Sequence, residues 1–112
     1  MGHSYSRGQL RKEIIREAAS ALNHTDSKLA PNRVIIEIVE DGKVLQQPRI
    51  QLTKDKYGNI DILGTGQQIR LSPERFMELM DHIVVMAYPD TVIRLVHQNS
   101  HEQKIIKTYT IT

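Results

Sequence analysis

The sequence predicts an α+β domain: an antiparallel sheet of five to six strands with two packed helices, in the order α-β-β-β-(β)-α-β-β. Three observations carry this expectation. Segments 9–23 and 72–87 repeat their apolar residues at the helical period. Stretches 33–71 and 91–112 are rich in β-branched residues and punctuated by Gly, Asp and Asn. Strand follows strand through short turns, which argues against alternating βαβ units.

The first helix is expected over 9–23. Leu10, Ile14, Ala18 and Leu22 recur every four residues, with Ile15 and Ala21 beside them. Lys12, Glu13, Arg16 and Glu17 lie outside that apolar arc. Arg7 and Arg11, followed back along the same helix, fall inside it. They either overhang the edge of the core or are offered to an acidic partner. Residues 1–8 read as a flexible N-terminus and 9–112 as a single domain. Met1 to Ser6 formally fits an acylation pattern with Gly2 as acceptor, but a plain disordered start is the simpler expectation.

Arg33 to Glu40 carries apolar side chains on both faces, as a central strand should. Asp41-Gly42 then marks a hairpin. The return strand is expected over 43–54, with Pro48 placing it at an edge or a bulge. Turns at 55–59 and 64–66 separate short strands at 60–63 and 67–71. Ser72-Pro73-Glu74 opens the second helix, with Ser as N-cap and Pro at the first helical position. Its apolar stripe is Phe76, Met77, Met80, Ile83, Val84 and Ala87; Glu78, Asp81 and His82 are expected to face away, and Val85 to be exposed. Strands 91–97 and 104–112 close the domain, with Ile105, Tyr109 and Ile111 expected on one face.

The length is that of one domain, and 39% hydrophobic with 25% charged residues is ordinary for a globular chain. No Cys is present, which excludes disulfides, thiolate nucleophiles and Cys-ligated zinc or iron–sulfur clusters. No apolar run reaches the length of a membrane span, and the polar start does not read as a secretory signal. A cytoplasmic domain without membrane contact is therefore expected.

No catalytic motif appears, and no enzyme, metal or cofactor is expected. Gly64-Thr65-Gly66 begins a G-x-G, but position 69 is Ile where the dinucleotide fingerprint needs Gly. His97 and His101 have a metal-compatible spacing, but a site needs three or four ligands.

The cations point elsewhere. Net charge is only +2, so distribution matters more than sum. Arg7, Arg11, Lys12 and Arg16 cluster in the N-terminal segment. In the return strand Gln47, Arg49, Gln51 and Thr53 share one face by the period of two, and Gln68 and Arg70 continue the pattern. Arginines and amides suit phosphates and base edges, and they also suit water. Tyr57 lies at a turn beside Lys54 and Lys56, where one base could stack.

Residues 33–87 run from strands into a helix through Ile69-Arg70-Leu71-Ser72-Pro73-Glu74-Arg75-Phe76. Over about half the chain this faintly resembles the single-strand-binding modules of the Pur-alpha type, in which a curved sheet runs into a helix. The resemblance implies binding of single-stranded nucleic acid. The leading helix and closing hairpin lie outside it.

The expected function is a small non-enzymatic nucleic-acid-binding or regulatory accessory protein for DNA or RNA. Phosphate contacts would come from Arg7, Arg11, Lys12, Arg16, Arg49, Lys54, Lys56 and Arg70, with Tyr57 stacking. The alternative is an assembly module forming a homo-oligomer, a homodimer in the simplest case, through the edge strand 104–112.

Overall fold

Arg33–Glu40 forms the longest inner strand, β1, and the rest of the sheet is laid out from it. The computed structural model describes residues 6–24, 32–55, 57–64 and 69–112. In chain order these form α1 (Arg7–His24), β1 (Arg33–Glu40), β2 (Lys43–Val44), β3 (Ile50–Lys54), β4 (Ile60–Gly64), β5 (Ile69–Arg70), α2 (Pro73–Met80), β6 (Val92–Gln98) and β7 (Gln103–Thr110). A π-helical turn, Asp81–Val85, continues α2. The seven strands make one antiparallel sheet in the order β5-β4-β3-β1-β6-β7, with β2 pairing β1. The arrangement is α+β with the predicted order of elements.

Position explains the composition of β1. It lies between β3 and β6, and Val34 to Ile38 are all buried. Val34, Ile36 and Ile38 point toward the helices. They meet Ile14, Ala18 and Leu22 of α1, Phe76 and Met80 of α2, and Ile83 and Val84 of the π turn. Ile50, Leu52, Ile93, Leu95 and Ile111 complete that core. Ile35 and Glu37 point to the opposite face.

Boundaries moved where local chemistry was stronger than periodicity. The first helix starts at Arg7 rather than residue 9 because Ser6 and Gln9 cap it reciprocally. Gln9 N donates to Ser6 Oγ at 3.2 Å and Ser6 N to Gln9 Oε1 at 3.0 Å, a capping box. The second helix starts as predicted: Arg75 N donates to Ser72 Oγ at 3.2 Å, and Pro73 occupies the first turn. The Asp41-Gly42 turn also forms, with φ of 51° and 76°. That left-handed backbone is the reason for Gly at position 42.

The continuous return strand 43–54 is not observed. β2 ends at Val44, the chain leaves the ladder through Pro48, and β3 resumes at Ile50. Pro48 lacks the amide that a ladder needs. This split raises the strand count to seven.

A bulge between β6 and β7 corrects the expectation for the last strand. Leu95 pairs with Lys107 but Val96 pairs with Ile105, so Ile106 is the extra residue. Ile105 therefore lies on the face opposite Tyr109 and Ile111. Lys107 takes the helix-side position, reaching Glu13 at 3.4 Å and Glu17 at 3.6 Å on α1.

On the second helix, Asp81 does not face away but pairs with Arg11 of α1. Val85 is half-buried rather than exposed, and its carbonyl accepts from Arg7 at 3.1 Å. Both differences follow from α1 packing across the π turn. The acylation pattern, the Gly64–Gly66 turn beyond Gly64, and Gln67 and Gln68 lie outside the described residues. No helix among the described residues is long and apolar enough to cross a membrane.

Candidate functional site

The two helices cover one side of the sheet. Among the described residues no helix covers the other, and its side chains form rows across the strands. One row runs Asp61, Thr53, Arg33, Gln98, Gln103. The next runs Arg70, Leu63, Gln51, Ile35, Val96, Ile105. The third holds Arg49 beside Glu37, Arg94 and Thr108. At about 4.8 Å per strand the second row is about 24 Å wide, and Arg33 and Glu37, four residues apart, put the outer rows about 13 Å from each other.

Glu37 organises this face. It is only 7% exposed, accepts a hydrogen bond from Arg94 at 3.2 Å and forms an ion pair with Arg49 at 3.5 Å. One carboxylate thus balances two guanidiniums. Ile35 and Val96 in the middle row are buried, although they lie outside the helix-side core. Arg33, Arg49 and Arg94 are themselves half-buried, and the Nε of each is buried without an acceptor. The arginine stems shield the apolar row while the guanidiniums stay toward water. Arg33 forms no ion pair among the described residues, whereas Arg70 pairs with Asp61 at 2.8 Å.

The face therefore carries Arg33, Arg49, Arg70 and Arg94 against Glu37 and Asp61. That excess of two equals the formal net charge of the whole chain, +2. Among the described residues this surface is net positive.

The other cations marked in the sequence are dispersed. Arg7 binds the Val85 and Ala87 carbonyls and, at 3.2 Å, the Thr112 backbone oxygen. It ties α1 to the end of the π turn and to the last residue. Arg11 is committed to Asp81. Arg16 pairs with Glu13, and this bond, with Lys107, holds the Glu13 carboxyl below its usual range. Lys12 is exposed on the outer side of α1. Lys54 Nζ donates to Asn23 Oδ1 at 2.9 Å. Tyr57 is exposed at the β3–β4 turn, where its amide and that of Asn59 donate to Asp55. Those bonds, the Asn59 amide first, hold the Asp55 carboxyl below its usual range. Lys56 lies outside the described residues. Of the phosphate-contact and stacking residues named from sequence, only Arg49 and Arg70 share the uncovered face among the described residues, together with Gln51 and Thr53 of the predicted polar face.

The sequence reasoning missed Arg33, Glu37 and Arg94. Alternation in Arg33–Glu40 puts Arg33 and Glu37 on one side, so half of the signal was present. The cross-strand register that sets Arg94 against Glu37 was not.

The free edge is the second feature. β7 ends the sheet, and seven of its eight residues are exposed. Ile105 and Ile106 are 51% and 42% exposed. On the helix side of β7 Tyr109 is half-buried, with Lys107 Nζ 5.4 Å from its ring centroid. Burial pushes the Tyr109 phenol up.

The chain matches no known protein family, no curated protein and no solved structure. The residues themselves are what a functional reading rests on.

Proposed function

We propose that the protein is a small non-enzymatic nucleic-acid-binding or regulatory accessory protein of the cytoplasm, and that it contacts phosphates with the uncovered sheet face. The observation that supports this most directly is the excess of two positive charges that the described residues place on that face. Among the described residues Arg33 has no acid partner, and Glu37 neutralises only one of Arg49 and Arg94. Gln51, Gln98, Gln103, Thr53 and Thr108 supply amides and hydroxyls of the kind that accompany arginine at a phosphate backbone. No aromatic residue lies in the three rows, so base stacking is not part of this contact. The binding would be weakly sequence-dependent and electrostatic.

Fluorescence anisotropy with labelled single- and double-stranded oligonucleotides tests it. With about three phosphate contacts, single-strand affinity should fall roughly twentyfold between about 50 and 200 mM salt. Arg33→Ala combined with Arg70→Ala should weaken binding several-fold, and Arg16→Ala on the helix side should not. Absence of binding at low salt, salt-insensitive binding, or equal loss in Arg16→Ala would each overturn the proposal.

A second reading, an assembly module, is favoured by β7. Half of an edge strand's amides and carbonyls point away from its neighbour and can pair with another chain. A second copy is the simplest partner, joined antiparallel across a two-fold axis. The bulge at Ile106 and the charge of Lys104 limit that pairing to a matched register. Light scattering should give a particle of twice 12.9 kDa. Ile105→Asp with Ile106→Asp should reduce it to the monomer mass while leaving the circular dichroism unchanged. A wild-type monomer, or a dimer that survives both substitutions, would count against this reading.

A further inference from the structure

Two adjoining cavities lie where α2 and its π turn meet residues 45–49, away from the β7 edge; the first shares only Arg49 with the residues of the uncovered face. The first, about 390 Å³, is lined by Gln47, Pro48, Arg49, Gly64, Arg75, Leu79 and His82. Arg75, Leu79 and His82 are spaced four and three apart, so α2 and its π turn present them as one wall. Residues 47–49, where the chain leaves the ladder, form the wall opposite. None of the lining residues is a carboxylate; Glu78 is paired with Arg75 at 2.9 Å, Glu37 with Arg49 at 3.5 Å, and Asp81 with Arg11.

The second cavity, about 320 Å³, shares Pro48 and His82 with the first. Its remaining lining is mainly apolar, including Leu45, Ile83, Met86 and Ala87. Met86 is 69% exposed, a large apolar side chain at a cavity mouth. Glu40 and Thr91 lie in the same lining. Volumes of this order suit small molecules, for which known sites span about 300 to 1,000 Å³.

We propose that these cavities form one site for a small amphipathic organic anion, with its charged head at Arg75 and His82 and its apolar tail against Leu45, Ile83 and Met86. A guanidinium keeps spare donors after one ion pair, since it carries five N–H groups. Arg75 can therefore hold Glu78 and a carboxylate together. The Gln47 amide adds a neutral donor on the opposite wall. Glu40 sets the orientation: an anionic head placed in the second cavity would meet a carboxylate. A neutral chain of the same length gains the tail contacts but not the head. A short anion gains the head but not the tail.

That asymmetry makes the test specific. Amide chemical shifts would be followed in nitrogen-15-labelled protein titrated with octanoate, 1-octanol and acetate. Octanoate should saturate and move the amides of Arg75, His82 and Met86, binding at least tenfold more tightly than either comparison ligand. Arg75→Glu should cost octanoate about tenfold and leave octanol unchanged. The substitution keeps the helix, because Ser72 caps through the backbone amide of residue 75 and an acid suits the first turn. Met86→Asp should weaken octanoate and octanol together. Equal binding of octanoate and octanol, an unaffected Arg75→Glu, or no saturable shifts would overturn the site. None of these readouts depends on oligonucleotide binding or on β7 pairing.

Discussion

A chain ending at Gln103 is expected not to fold. The removed residues do more than form an edge. Ile111 is fully buried in the core, and Tyr109 packs against it. Ile111 also closes two backbone bonds around the turn before β6, from Asp90 N to Ile111 O at 2.7 Å and from Ile111 N to Thr91 O at 2.8 Å. Arg7 loses its contact with Thr112, which helps to anchor the start of α1. Emptying one fully buried Ile position costs about 2 to 5 kcal/mol. Adding the lost β6–β7 ladder brings the total to the order of a whole domain's stability, about 5 to 15 kcal/mol. Far-ultraviolet circular dichroism and a thermal melt would check this. A cooperative melt with wild-type secondary structure in the shortened chain would refute it. Ile111→Ala alone should remain folded and lose about 3 kcal/mol. Loss of oligomer in the truncated chain would therefore say nothing about an interface, which is why the surface substitutions Ile105→Asp and Ile106→Asp are the proper test.

Glu37→Ala is the second large effect. The carboxylate sits between Arg49 and Arg94 on the uncovered face and is almost fully buried. Removing it leaves two like charges facing one hole. Breaking a fully buried ion pair costs about 3 to 5 kcal/mol, but both guanidinium side chains here are about 30% exposed and can partly rehydrate. A loss of about 2 to 3 kcal/mol in urea unfolding is expected. Glu37→Leu with Arg94→Met replaces charge by packing and should recover most of it. An Ala variant within about 0.5 kcal/mol of wild type would show that the trio contributes no more than an ordinary surface position. Glu37→Gln keeps the shape and frees one positive charge, so it should tighten oligonucleotide binding at low salt if the face contacts phosphates.

Both effects depend on residues whose importance is invisible along the chain. Ile111 belongs to the predicted last strand, yet the bulge at Ile106 decides that it shares a face with Tyr109 and not with Ile105. Arg7 and Arg11 were correctly placed inside the apolar arc of the first helix. The arc itself could not reveal that Asp81 and the Val85 carbonyl would meet them.

Local chemistry determined much of this protein from sequence alone. Apolar period set the two helices and the helix-side core. Ser72-Pro73 set the start of α2, Asp41-Gly42 set the first hairpin, and the doubly apolar run Arg33–Glu40 set the central strand. Each signal spans a few residues, because capping, turn conformation and side-chain period act over one or two turns of chain. Tertiary structure alone decided the site. Arg33 and Glu37 of β1 share a face by alternation, but Arg49, Arg70 and Arg94 come from three other stretches, and only strand order and register bring them to that face. Register is fixed by pairing between distant strands, so it depends on contacts that no local pattern encodes.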